Sequence, residues 1–171
     1  MDWRRMQWLT PLDVAAQMRL QLRRARAVVG LTNGCFDVLT AGHAGFLMTA
    51  AKQCQVLYVL LNSDASVHAL KGDGRPIVPE RERAFLLCSL RAVHRVVLFD
   101  GTDCAREIRA LAPDVYIKSS EYRGAAQDPA EKAALEQCAA RVIWVDRDPE
   151  YSTTALIGRS TSAALTRSME D

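Results

Sequence analysis

Five short apolar runs alternate along this chain with stretches of helical character, and that alternation leaves few folds open. The runs are VVGLTN (28–33), VLYVLLN (56–62), HRVVLFD (94–100), VYIK (115–118) and RVIWV (141–145). An apolar run without polar alternation is what a strand covered on both faces requires. Between the runs, residues 43–54 read as a helix, and Pro79 opens another that reaches about Leu90. Thr102 is expected to cap a third, with Ala105, Ile108, Leu111 and Ala112 on one face and Pro113 at its end. Pro129 starts a fourth that turns Leu135, Cys138 and Ala139 inward, and YSTT leads into a last helix over about 153–167. Ahead of the first strand, Thr10 and Pro11 read as an N-cap and a first helical residue, with Pro11, Ala15, Met18 and Leu22 on one face. Residues 1–27 form an N-terminal arm and helix whose Trp3 and Trp8 are expected to cover the core or a subunit contact.

Strand and helix in alternation predict a five-stranded parallel sheet with helices on both faces. Right-handed crossovers make this a doubly wound, Rossmann-like α/β fold. A chain of 171 residues is expected to be a single domain, with residues 28–167 as its α/β core. The formal net charge of +2 gives no push toward nucleic acid, and no apolar run approaches the ~18 residues of a membrane span. The five cysteines are widely spaced and contain no C-x-x-C pair, which fits free thiols in a reducing compartment. No apolar leader precedes residue 14. A cytoplasmic protein is the expectation.

Sheets of this kind bind ligands beyond the carboxyl ends of their strands. The residues there are polar: Asn33-Gly34, Asn62-Ser63-Asp64, Lys118-Ser119-Ser120, and Tyr151-Ser152-Thr153-Thr154 before the last helix. The passage TNGCFDVLTAGHAGF (32–46) stands out. Gly34 permits a tight turn and close backbone approach, and Gly42 does the same immediately before His43. A helix starting near His43 presents unpaired backbone N–H groups and a partial positive charge, an anion site with an imidazole beside it. The passage is neither a G-x-G-x-x-G fingerprint nor a P-loop.

NGCFDVLTAGH resembles the signature of the nucleotidyltransferase superfamily with an H/T-x-G-H motif. Within it, the chain is most similar to the D-glycero-β-D-manno-heptose 1-phosphate adenylyltransferase (ADP-heptose synthase) family. LNSDASVHALKGDGRPIVPERER (61–83), PDVYIKSSEY (113–122) and YSTTALI (151–157) resemble that family's later blocks in the same order. The resemblance implies attack of a substrate phosphate on the α-phosphorus of a nucleoside triphosphate, with pyrophosphate leaving. Such chemistry needs positioning and charge stabilisation more than covalent catalysis.

What the resemblance implies can be set out by residue. His43 donates to the α-phosphate, Thr40 stands for the motif's first His, and Lys118 supplies a cation to the reacting groups. Thr32, Asn33, Gly34, Cys35, Phe36, Gly42, Ser152, Thr153 and Thr154 hold the nucleotide. Asp37, Asn62, Asp64, Lys71, Arg75 and Arg83 serve the substrate, Lys71 and Arg75 on a mobile loop with two glycines. Arg83 is also spaced to pair with Glu80, and Asp37 to orient its loop. Mg²⁺ is expected on the triphosphate, held by phosphate oxygens and water rather than by a protein cage. The partners are a nucleoside triphosphate and a phosphate-bearing small molecule, with neither nucleic acid nor membrane, and a homodimer is expected. No sugar-kinase domain of the sort fused to some such enzymes is expected.

Three positions depart from the family's pattern. Thr40 replaces the usual His, and a hydroxyl cannot become cationic. Ala51 stands where a Lys is usual, with Lys52 next to it. Ser119-Ser120 replace two glycines beside the pocket. These departures bear on the acceptor more than on the reaction. A cytidylyltransferase using CTP with a polyol phosphate or a phosphonate is the alternative. A nucleotide-binding regulatory protein with weak turnover is the second.

Overall fold

In the computed structural model, which describes residues 9–124 and 127–146, the five apolar runs lie side by side. β1 (Val29–Gly34), β2 (Val56–Asn62), β3 (Arg95–Phe99), β4 (Val115–Ser119) and β5 (Arg141–Val145) form one parallel sheet in the order β3-β2-β1-β4-β5. Val29 lies opposite Val56 and Gly34 opposite Leu61, while Lys118 lies opposite Trp144. The chain builds outward from β1 in one direction, then returns and builds in the other. The order therefore reverses between β1 and β4, and two crossovers diverge there to leave a crevice at the carboxyl ends of both strands.

The helices are α1 (Leu12–Arg24), α2 (Ala41–Ala51), α3 (Asp64–Lys71), α4 (Glu80–Cys88), α5 (Ala105–Leu111) and α6 (Pro129–Gln137). Strand alternation explains why both faces need cover. On β2, Tyr58 and Leu60 join the layer that holds Ala15 of α1, Ile108 of α5 and Leu135 of α6. Leu57, Val59 and Leu61 of the same strand join Leu47 of α2 and Leu87 of α4. All five β2 residues are 0% exposed, and each such side chain contributes about 1.5–3 kcal/mol by leaving water. Among the described residues, no helix is long and apolar enough to cross a membrane.

Several expectations shift. Pro11 is the N-cap of α1 rather than its first residue, and the inward face is Leu12, Ala15, Arg19 and Leu22. Arg19, 3% exposed, donates from Nε and Nη2 to the Ala112 carbonyl (3.1 and 3.0 Å) and from Nη2 to Asp114 (2.8 Å). The other Asp114 oxygen accepts from the Val29 amide at 2.8 Å, so one ion pair fastens α1 to the starts of β1 and β4. A period count reads an inward arginine as polar, because its partner lies 95 residues away.

Cys104, not Thr102, precedes α5, whose first amide is capped by Asp103 at 3.0 Å. α3 lies between β2 and the loop with Gly72 and Gly74, in residues given no element from the sequence, and Lys71, expected on that loop, is its last residue. Ser63 caps it, accepting from the Ser66 amide at 3.2 Å. Trp3, Trp8 and the helix expected over 153–167 lie outside the described residues.

Candidate active site

The crevice between β1 and β4 is built first by the turn that leaves β1. Phe36 takes a left-handed backbone (φ 45°), a conformation that costs a non-glycine residue about 1–3 kcal/mol. Its ring folds back over Gly34, where an added Cβ would sit 3.1 Å from the ring. Gly34 is therefore needed for close approach, and the tight turn itself belongs to Phe36. The ring then lies against the His43 imidazole, centroids 5.5 Å apart and planes tilted 58°.

α2 begins at Ala41, two residues earlier than the sequence suggests, so Gly42 and His43 lie within its first turn. Thr40 is the N-cap in a reciprocal capping box with His43. The Thr40 hydroxyl lies 2.9 Å from His43 Nδ1, and the Thr40 amide donates to the same nitrogen at 3.2 Å. Nδ1 is thus an acceptor, and the ring proton sits on Nε2. Thr40 holds and orients His43, a local task that the motif comparison does not assign to it. His43, 9% exposed, lines a cavity of about 110 Å³ together with Thr32, Phe36, Lys71 and Lys118. The Thr32 hydroxyl is buried in its floor with no hydrogen-bond partner among the described residues.

The opposite wall is a cluster of charged side chains. Lys118, at the end of β4, donates to Glu131 of α6 at 2.7 Å and lies 5.1 Å from the Tyr122 ring centroid. Glu131 also accepts from Asn33 Nδ2 (2.9 Å) and the Cys104 thiol (3.1 Å), and the Tyr116 hydroxyl lies 3.2 Å away. That hydroxyl also reaches Asn33 Oδ1 at 2.8 Å. Burial, with the Glu131 carboxylate beside it, pushes the Cys104 thiol far above its ordinary range, so it stays protonated and donates. A second cavity of about 490 Å³ opens on this side and shares Asn33, Lys71 and Lys118 with the first.

The substrate residues expected from the sequence divide in two. Lys71 lines both cavities and Asn62 the larger. Asp37 lines the smaller cavity and also braces the framework, whereas Arg75, Asp64 and Arg83 line neither cavity and serve as braces. Asp37, 3% exposed, accepts from the Ile77 and Val78 amides (2.7 and 3.0 Å) and from Arg75 (2.6 Å). Burial would raise its carboxyl, but the Val78 amide, Arg75 and the Ile77 amide outweigh that and hold it below the usual carboxylate range. Asp37 therefore orients the loop and engages Arg75.

Arg83, 1% exposed, donates to the carbonyls of Val78, Cys35 and Asn62 at 2.7–2.8 Å and to Asp64 at 2.7 Å. It pins the ends of β1 and β2 together, and its expected partner Glu80 accepts from the Asp64 amide instead. Lys52 is exposed at the far end of α2, about 13 Å along the axis from His43. Ser152, Thr153 and Thr154 lie outside the described residues. Glu131 and Tyr116 escape the sequence reading. The one local signal is Asp128-Pro129-Ala130-Glu131, a helix start whose Asp128 accepts from the Ala130 and Glu131 amides at 2.8 and 3.0 Å.

Residues 31–159 match the family model described as cytidylyltransferase-like. The chain belongs to this family of nucleotidyltransferases. It is 53% identical over 126 residues to the bifunctional protein HldE of Helicobacter pylori (strain G27), covering 74% of this chain and 26% of that protein. Against the bifunctional protein HldE of Mesorhizobium japonicum it is 40% identical over 145 residues, covering 85% and 29%. The chain thus spans under a third of the length of these relatives. Among solved structures, the lipopolysaccharide core biosynthesis protein of Thermoplasma volcanium superposes with a TM-score of 0.59 at 22% identity, covering 71% of this chain and 98% of that one. Pantoate-beta-alanine ligase of Francisella tularensis gives 0.56 at 11% identity, covering 83% and 69%. These two likenesses show the doubly wound fold.

Proposed function

We propose that this nucleotidyltransferase moves an adenylyl group from ATP to a heptose 1-phosphate, releasing pyrophosphate. The observation that carries the reading is that His43 and Lys118 line one cavity from opposite sides of the point where strand order reverses. The similarity to the HldE proteins and the four collinear sequence blocks support the sugar phosphate as acceptor. The acceptor's phosphate oxygen forms a bond to the α-phosphorus as the bond from that phosphorus to the bridging oxygen of pyrophosphate breaks. The Nε2 proton of His43 and the ammonium of Lys118 meet the negative charge that builds on the transferred group. The amides at the start of α2 add to that field. Thr32, Asn33, Gly34, Cys35, Phe36 and Gly42, with Ser152, Thr153 and Thr154, hold the nucleotide, and Lys71 reaches the phosphates from the end of α3.

Mg²⁺ bound to the triphosphate would neutralise its charge. The two carboxylates at the crevice, Asp37 and Glu131, are both engaged by cations and amides. Among the described residues no three acidic, His or Cys side chains gather to hold a metal. The donor set therefore suits an ion carried by phosphate oxygens and water. The same reading has residues 1–171 acting as one nucleotidyltransferase domain in the cytoplasm. It also has the chain pairing as a homodimer through apolar surface that includes Met48 and Leu86, 60% and 42% exposed.

The test is pyrophosphate release with Mg²⁺, each nucleoside triphosphate and a panel of phosphate acceptors. Turnover with ATP and D-glycero-β-D-manno-heptose 1-phosphate is expected. Turnover confined to CTP with a polyol phosphate or phosphonate would replace the acceptor and base, and nucleotide binding without any release would replace the activity.

A further inference from the structure

We propose that Glu131 is a positioning residue for nucleotidyl transfer, acting through Lys118. The inference rests on the reading that Lys118 meets the phosphates. Glu131 is 3% exposed, and three donors converge on its two oxygens. Lys118 Nζ lies at 2.7 Å, Asn33 Nδ2 at 2.9 Å and the Cys104 thiol at 3.1 Å, while the Tyr116 hydroxyl, 3.2 Å away, gives its one proton to Asn33 Oδ1. Only a group that accepts with both oxygens and donates with neither satisfies this set, and an ionised carboxylate is that group. Glutamine, of nearly the same size, would turn an N–H toward one of these donors.

The arrangement has a consequence at the cleft. A lysine ammonium rides on four rotatable carbons and locates itself poorly. Here it is held on one side by the carboxylate and flanked by the Tyr122 and Tyr116 rings, centroids at 5.1 and 5.8 Å. It is thereby fixed where the 110 and 490 Å³ cavities meet. The same carboxylate holds the Asn33 amide, whose Oδ1 accepts from the Tyr116 hydroxyl at 2.8 Å. Glu131 itself is fixed because its own amide is capped by Asp128, and a negative charge in the first turn of α6 suits the helix dipole.

A double-mutant cycle over Glu131→Gln and Lys118→Met tests this, with melting temperatures as a check on folding. Pyrophosphate release by the wild type is measured first, so a failure of the substrate reading shows there and not in the cycle. Should no pair turn over, the cycle is read in MgATP affinity by calorimetry. In turnover, E131Q is expected to lower kcat about 10–100-fold and K118M about 10²–10³-fold. The double variant should fall within about threefold of K118M, because removing Lys118 removes what Glu131 positions. The same non-additivity is expected in affinity. Losses that multiply, or an E131Q protein within about threefold of wild type, overturn the proposal. If E131Q does not fold, Glu131→Ala opens the site to the larger cavity and to water. Recovery of its turnover or MgATP affinity by acetate, and not by chloride at equal ionic strength, is then expected, and no recovery overturns the proposal.

Discussion

The two walls of the crevice answer the same demand, holding positive charge against phosphates, by different means. The wall made by the β1 turn and α2 is largely main chain. A capped helix start, a glycine under a phenyl ring and one histidine lie within eleven consecutive residues, 33–43. The wall made by β4 and α6 is a buried network of side chains whose members lie 13, 15, 27 and 98 residues from Glu131. The first wall derives its field from peptide dipoles that the helix orders in any case. The second confines charge in a place where water cannot screen it, so each partner depends on the others. Substitutions in the first wall should act locally and add, and those in the second should couple.

The comparison is broken most decisively at His43. His43→Ala is expected to lower the turnover rate about 10²–10³-fold, as for loss of one transition-state donor. A loss under about threefold in a folded protein would leave the main-chain wall without its reacting group. The next effect is at the brace that ties the β1 turn to the segment before α4. Asp37→Asn should cost about 1–3 kcal/mol in chemical denaturation, since charged hydrogen bonds to Arg75 and two amides are weakened.

This brace also has a pH signature. A carboxyl held low in the folded protein adds stability that is present above its unfolded value, near pH 3.9, and is lost as pH falls through the folded value. The wild type should therefore lose stability below about pH 4 more steeply than D37N, which a denaturation series in pH measures.

Smaller effects sharpen the contrast. Thr40→Val removes the cap of α2 and the hydroxyl beside His43 Nδ1, at a cost of about 0.5–2 kcal/mol. Thr40→Ser should restore both stability and rate, whereas a cap without influence on His43 would restore stability alone. The smallest expected change is Gly34→Ala, on the order of 1 kcal/mol from crowding the Phe36 ring. Its effect should add to that of Thr40→Val in a thermal melt. Coupling between the two would mean that the main-chain wall is a network after all.

How much of this was legible beforehand follows the same division. The apolar runs marked all five strands to within a residue or two, because burial on both faces leaves no other residue types admissible. The T-A-G-H passage disclosed His43 and the helix start, since capping and first-turn geometry act over three or four residues. The sequence also marked Lys118 and Lys71, and both face the cavity. It placed Arg83 beside the substrate, where the structure bonds it to three carbonyls, because a charge near a motif reads the same whether it meets a ligand or a carbonyl. α3 passed unnoticed because its eight residues give little more than two turns of pattern.

By itself, then, the amino-acid order determined the layered sheet, the crevice at the strand ends and the helix start that presents His43. All of these arise from periodicity and from contacts a few residues apart. Tertiary structure alone decided which charges face the crevice and which support it. It bound Arg83 to three carbonyls, tied Asp37 to Arg75 and gathered three donors on Glu131. The physical reason is that a buried charge must find its partner in space. Partners separated by 13 to 98 residues leave no periodic mark on the chain.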